Sequence, residues 1–218
     1  MYRRETIMKA PIFAISRLRM GTDGFGITTL VTFMGCPLRC KYCLNKKCHE
    51  SIYETDGKAL RKGIMLLTPQ ELYDFVKVDN IYFQSSGGGI CFGGGEPTLY
   101  EQFIIEFKKL CGERWKITLE TSLSCSYNTI QALSNVVDHW IVDIKSMNPF
   151  IYQEYTGVMS EVLQHLYSIR SLVSRDKITI KVPRIPGYND NEDLDDVIDE
   201  IKQRFGFTNI LKIEYRKL

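Results

Sequence analysis

Two kinds of text alternate along this chain: short apolar runs with β-branched and aromatic residues, and longer stretches with a helical spacing. Gly26–Gly35 (GITTLVTFMG) predicts a buried strand that runs straight into a cysteine. Thr68-Pro69-Gln70-Glu71 has a capping threonine with proline at the first helical position, and predicts a helix continuing over Leu72–Phe83. Gly87–Gly95 is a short strand and a glycine turn, and Leu99–Cys111 a helix. Trp115–Thr121 (WKITLET) and Val136–Lys145 (VVDHWIVDIK) are strands, with a short helix at Tyr127–Ser134 between them. A helix at Glu161–Ser174, a strand at Lys177–Arg184, an acidic-capped helix at Asp190–Phe205 and a last strand at Asn209–Tyr215 complete the pattern.

Strand and helix therefore alternate about six times. That rhythm predicts an α/β fold of parallel strands with helices on the outer face. A closed barrel needs eight such units in about 250 residues, so the expected architecture is an open, partial (β/α)6 barrel. In such folds the loops leaving the C-terminal ends of the strands build the active site.

Composition narrows the setting. The 218 residues, 44% hydrophobic and 25% charged, are expected to form a single domain over residues 1–218. A formal net charge of +2 gives no support for nucleic-acid binding. No apolar run reaches the roughly 18 residues of a membrane span, and the first residues lack the apolar core of a secretory signal. The expected location is cytoplasmic, where clustered thiols bind metal or do redox chemistry.

Of seven cysteines, three crowd into Gly35-Cys36-Pro37-Leu38-Arg39-Cys40-Lys41-Tyr42-Cys43. Three close thiolates suit an iron–sulfur cluster with one iron left open, or a zinc knob with Cys48 or His49 as fourth ligand. Gly93-Gly94-Gly95-Glu96-Pro97 reads either as a backbone cradle with a carboxylate for an ammonium group, or as a tight turn with Glu96 in the first turn of a helix. Glu120-Thr121 and Asp143-x-Lys145 end neighbouring strands, which would bring Glu120 and Asp143 together; they repel unless a cation or Lys145 lies between them.

Cys-x3-Cys-x2-Cys with Tyr42 before the third cysteine, followed by Gly-Gly-Glu-Pro, resembles the radical S-adenosylmethionine (SAM) superfamily. Asp23-Gly24-Phe25-Gly26-Ile27, Asp143-Ile144-Lys145 and Ile185-Pro186-Gly187-Tyr188-Asn189-Asp190 are similar to wording in its glycyl-radical-enzyme activases, typified by pyruvate formate-lyase activase. The resemblance implies one [4Fe–4S] cluster on Cys36, Cys40 and Cys43, with SAM on its open iron. It implies that Gly94, Gly95 and Glu96 meet the SAM amine and that Tyr42 and Lys145 belong to the SAM site. It implies a monovalent cation held by Glu120, Thr121, Asp143 and the carbonyl of Ile141. The partner would be a glycyl-radical enzyme, with a flavodoxin or ferredoxin as electron donor.

This chain departs from the activase pattern in three places. Lys181 stands where activases have arginine, with Arg184 three residues on, which leaves open which of them meets SAM. No histidine follows the last strand in Ile213-Glu214-Tyr215-Arg216-Lys217, and no cysteine-rich ferredoxin-like insertion follows Cys43. Cys48 is expected not to bind the cluster, since a fourth cysteine would exclude SAM from the open iron. Cys91 and Cys111 are expected to be buried, and Cys125 to lie near the mouth as a candidate reactive thiol. His49, His139 and His165 are expected to be structural. Arg39, Lys41, Lys46 and Lys47 make a basic rim that would attract an acidic electron carrier. Two other readings stay open at this point: a radical SAM enzyme for a small molecule or peptide, and a non-catalytic zinc or iron–sulfur module.

Overall fold

The computed structural model describes residues 8–191 and 194–214, and begins with a strand that the hydrophobic pattern does not announce. β1 (Ala10–Met20) is buried only over its first residues, and pairs antiparallel with β2 (Ile27–Phe33) and with the short β3 (Met65–Leu67). α1 (Pro69–Val76) carries the expected capping box: Thr68 Oγ1 accepts from Glu71 N at 3.1 Å, and Glu71 Oε2 accepts from Thr68 N at 2.8 Å.

The single helix expected over Leu72–Phe83 is two. A 3-10 turn at Lys77–Asp79 separates α1 from α2 (Asn80–Ser86). The break lets Asp79 turn inward, where its fully buried carboxylate accepts from the Arg17 guanidinium at 2.7 and 2.5 Å. This ties β1 to the helical layer, a long-range requirement that local helix propensity does not see.

From there strand and helix alternate as expected. β4 (Gly89–Gly94), α3 (Glu101–Cys111), β5 (Lys116–Thr121), α4 (Tyr127–Ser134) and β6 (His139–Asp143) come first. α5 (Pro149–Thr156) is a helix that the sequence pattern did not predict, capped by Asn148, whose Oδ1 accepts from Phe150 N and Ile151 N. α6 (Val162–Leu172), β7 (Ile178–Arg184), α7 (Leu194–Phe205) and β8 (Ile210–Glu214) follow.

The sheet runs β3-β1-β2-β4-β5-β6-β7-β8, and its strands are parallel from β2 to β8. β8 pairs with β7 alone and β3 with β1 alone among the described residues, so the barrel stays open. It is the six-stranded partial barrel expected, with the β1–β3 pairing added at one edge. No helix among the described residues is long and apolar enough to cross a membrane.

Period-two alternation sorts the strand residues into two environments. Ile90, Phe92, Ile117, Leu119, Trp140, Val142, Ile178 and Ile180 belong to the hydrophobic core beneath the helices. The alternate positions, among them Cys91, Thr118, Glu120, Ile141, Asp143, Thr179 and Lys181, lie on the concave side. The outer layer stabilises the fold; the inner one is left free for polar chemistry.

Candidate active site

The concave side holds a cavity of about 450 Å³. Cys36, Cys40, Tyr42, Cys43, Gly94, Gly95, Glu96, Glu120, Thr121, Asp143, Lys145 and Lys181 line it, whereas Ile141, Arg184 and Cys125 are not among its lining residues. The lining residues arrive from separate elements: most sit at or just past the C-terminal end of a parallel strand, and Lys181 reaches in from the middle of β7. The cysteine loop follows β2 and is held by backbone bonds: Gly35 N donates to Cys48 O at 2.7 Å, and Arg39 N to Thr156 O at 2.7 Å.

The glycines lie against that loop. Gly95 N donates to Phe33 O at 2.9 Å and Glu96 N to Gly35 O at 2.8 Å. A Cβ on Gly95 would stand 2.0 Å from Gly35 O, and one on Gly94, at φ +89°, would stand 2.5 Å from Thr32 Cβ. Glycine is required here by the close approach of two strand ends.

Glu96 is 1% exposed, yet its carboxylate is fully served. Oε1 accepts from Thr98 N (3.2 Å), Thr98 Oγ1 (2.8 Å) and Thr121 Oγ1 (2.5 Å), and Oε2 from Ser122 N (3.0 Å) and Ser122 Oγ (2.7 Å). Both readings of Glu96 meet in this geometry, since it caps the 3-10 turn Pro97–Tyr100 and also lines the cavity. The turn that aims Ser122 at it contains Leu123 at φ +58°, a conformation that leucine adopts only under constraint.

The two neighbouring carboxylates each have an ammonium group. Lys145 Nζ lies 2.5 Å from Asp143 Oδ2, and Lys181 Nζ is paired with Glu120 Oε1. Burial pulls the Lys181 pKa down, but Glu120 and then Asp143 outweigh it and hold this lysine above its ordinary value. Arg184 contacts Glu214 and the carbonyls of Asn189 and Asp190 at the strand end, and is not among the cavity residues. Lys181, and not Arg184, faces the cavity.

Burial pushes the Cys36 thiol up to about 12, aided by Glu96, and the Cys40 thiol up to about 11, partly relieved by Lys145. Thiols so placed ionise against a metal cation. Cys43 is held below its ordinary value, first by hydrogen bonding from Cys48, while Cys48 is raised by the same contact. Cys43, Cys48 and His49 place a ligand atom each within 4.8 Å of one another. His49 also meets the Arg39 guanidinium, so it has partners that the sequence did not reveal.

Several cavity residues were missed. Arg19, Thr22 and Asp23 line its far end, with Arg19 paired to Asp23. A bulge in β1, with Leu18 at φ +55°, redirects Arg19 off the regular ladder. The loop after it plugs the barrel from below: a Cβ on Gly24 would stand 2.3 Å from Thr118 Oγ1. The phrase Asp23-Gly24-Phe25-Gly26 was the available signal, but nothing local says that it enters the barrel. Tyr155 and Ser122 also line the cavity through contacts between distant elements.

Residues 30–201 match the Radical SAM superfamily. The chain belongs to that superfamily. Membership implies a [4Fe–4S] cluster and SAM, and the half-buried thiols of Cys36, Cys40 and Cys43 on one cavity wall are a donor set that fits such a cluster. Among radical SAM relatives, the chain is 26% identical to the choline trimethylamine-lyase activating enzyme of Oleidesulfovibrio alaskensis, over 85% of this chain and 75% of that protein. It is 35% identical to the pyruvate formate-lyase-activating enzyme of Clostridium pasteurianum, over 62% of this chain and 52% of the relative. The structure of Streptococcus suis SuiB bound to precursor peptide SuiA shares the fold, with a TM-score of 0.60 at 14% identity over 86% of this chain and 38% of SuiB.

The other cysteines and histidines given separate expectations do not line the cavity. Cys91 and Cys111 are buried as expected. Cys125 is half-buried, and burial followed by the Glu96 charge pushes it up to about 12, which disfavours its thiolate. His139 is buried with Nε2 2.9 Å from Thr179 Oγ1, and His165 Nε2 lies 3.5 Å from Glu161, in agreement with structural roles. The expected absence of histidine after the last strand falls mostly on residues 215–218, outside the described residues.

Proposed function

We propose that this chain is a radical SAM activase that installs a glycyl radical on a partner enzyme. The observation that carries the reading is the single cavity lined by the three loop cysteines, the glycine cradle and the Glu120, Asp143, Lys145 and Lys181 charges. The activating enzymes among the similar proteins support the choice of substrate. When bound, the cluster on Cys36, Cys40 and Cys43 supplies the electron that cleaves SAM to methionine and a 5′-deoxyadenosyl radical.

The chain's own residues orient and confine that chemistry. Gly94, Gly95 and Glu96 receive the SAM amine, with the Glu96 charge kept in place by its five donors. Lys145 and Lys181 balance Asp143 and Glu120 around the SAM carboxylate, and Tyr42 and Tyr155 close the cavity wall. A monovalent cation belongs to this reading too, held by Glu120, Thr121, Asp143 and the Ile141 carbonyl, where it competes with the Lys181 ammonium for Glu120. The open side of the barrel beside β8 admits a glycine loop of the partner. The target Cα–H bond must be held close to the radical, because a 5′-deoxyadenosyl radical attacks almost any C–H bond within reach. A flavodoxin or ferredoxin supplies the electron from outside, and with only Cys48 and Cys91 between Cys43 and Gly94 there is no ferredoxin-like insertion in that segment to relay it internally.

Anaerobic reconstitution with iron and sulfide, reduction by dithionite and addition of SAM test the reading. The expected result is a [4Fe–4S] EPR signal that shifts with SAM, 5′-deoxyadenosine as product, and a glycyl-radical doublet on a co-purified partner enzyme. Colourless protein with one bound zinc and intact SAM would overturn it.

A further inference from the structure

The cysteine loop carries more soft donors than a three-thiol cluster uses. Cys43, Cys48 and His49 each place a ligand atom within 4.8 Å of the others, and Cys48 is 2% exposed. Local backbone bonds build this grouping. Cys43 N donates to Cys40 O at 3.2 Å, and Cys48 N donates to Asn45 O at 2.8 Å as the chain enters the 3-10 turn Lys46–His49. Cys48 and His49 line a surface depression of about 280 Å³ and not the main cavity, whereas Cys43 lines the main cavity and not the depression. Cys43 therefore stands between two donor sets: Cys36 and Cys40 on the chamber wall, and Cys48 and His49 on the outer side.

Two thiols and an imidazole are donors that suit zinc, which takes sulfur and nitrogen ligands in a tetrahedral arrangement. Three protein ligands leave the fourth place to water, and the depression supplies it. Each thiol gives up its proton to the metal, so two thiolates balance the charge of the bound ion. The Arg39 guanidinium, which donates to His49 Nδ1, has to leave when the ring binds a metal. A metal on Nδ1 takes its place, and a metal on Nε2 puts the ring proton on Nδ1. Arg39 is exposed and can turn into solvent.

We infer that Cys43, Cys48 and His49 form a zinc site in the cluster-free chain. The inference goes beyond the activase reading and rests on it for one consequence. Cys43 serves either the zinc or the cluster, so the two exclude one another. Zinc holds the third loop thiol until iron and sulfide displace it, and excess zinc slows that assembly. The site differs from a zinc knob built in place of the cluster, since Cys36 and Cys40 take no part in it.

The test starts from metal-free protein without cluster, titrated anaerobically with Zn2+ against a chromogenic chelator and with Co2+ as a spectroscopic probe. One zinc per chain is expected, and a cobalt spectrum with thiolate charge-transfer and tetrahedral d–d bands. Cys48→Ser and His49→Gln are expected to weaken Zn2+ binding at least about tenfold, and Cys40→Ala to bind it as wild type. His49 is half-buried, so His49→Gln keeps the test valid if the buried Cys48→Ser fails to fold. Zinc-loaded wild type is expected to take up iron and sulfide more slowly than zinc-free wild type, and His49→Gln to show a smaller difference. Wild-type Zn2+ affinity in His49→Gln and Cys48→Ser would overturn the site, as would equal weakening by Cys40→Ala. Zinc-free protein that forms no [4Fe–4S] absorbance on reconstitution would instead overturn the activase reading, and the Zn2+ titration would still report on the site.

Discussion

At the scale of single residues, the chemistry turns on how each charge or thiol is compensated. Cys48 stands beside Cys43, but a cluster on Cys36, Cys40 and Cys43 must keep one iron open for SAM. Cys48→Ala is therefore expected to keep the [4Fe–4S] absorbance and its SAM-induced EPR shift, whereas Cys43→Ala loses the cluster; iron and sulfide analysis with EPR checks both. Buried His139 is kept neutral, with its pKa lowered by desolvation, and buried His165 is lowered by the same cause. Below their unfolded value of about 6.5 the unfolded chain takes up protons that the folded chain resists, so stability falls as pH drops from 7 to 5. The half-buried Asp138 carboxylate is depressed, so its stabilisation is present throughout this window and is lost only at lower pH, near and below the ordinary carboxylate range. Thermal unfolding is expected to show a declining midpoint from pH 7 to 5, and His139→Gln to flatten that decline.

At the scale of elements, the site depends on strand ends that touch. β4 reaches the cysteine loop through Gly94 and Gly95, where backbone meets backbone. Gly95→Ala is expected to cost about 2–4 kcal/mol in urea unfolding and to reduce iron incorporation, because Gly35 carries the loop into Cys36. Gly112→Ala, which meets nothing within 4 Å but also has a positive φ, serves as a comparison for backbone strain without the clash. Many elements were legible from local text: the Thr68 capping box, the alternating strands β5 to β7, and the helices α3, α4 and α6. The split between α1 and α2 was not, because burying Asp79 against Arg17 is a contact between residues 62 positions apart. β1 and β3 were missed because a strand largely open to solvent lacks the sustained apolar run that marks a buried one.

At the scale of the molecule, an unclosed sheet sets what can reach the cavity. β8 has a largely exposed edge, and Ile213 on it lines the cavity. Ile213→Trp is expected to narrow that approach. The yield of glycyl radical on a partner enzyme should fall at least tenfold, while 5′-deoxyadenosine formation without partner continues. EPR spin quantitation beside chromatography of the nucleoside separates the two. Equal loss of both would place Ile213 in the SAM site instead.

The sequence by itself determined the chemistry and the rhythm: the cysteine spacing, the glycine cradle, the carboxylates and lysines at strand ends, and about six strand–helix units. Those features are local, since ligand spacing, turn residues and period-two alternation all act over a few positions. Tertiary structure decided the pairings across the sheet. It put Lys181 rather than Arg184 in the cavity, gave Glu96 its donors from Thr98, Thr121 and Ser122, and brought Arg19 and Asp23 in from below. Such contacts join residues far apart in the chain, and their partners are fixed only when the parallel strands are curved around a common interior.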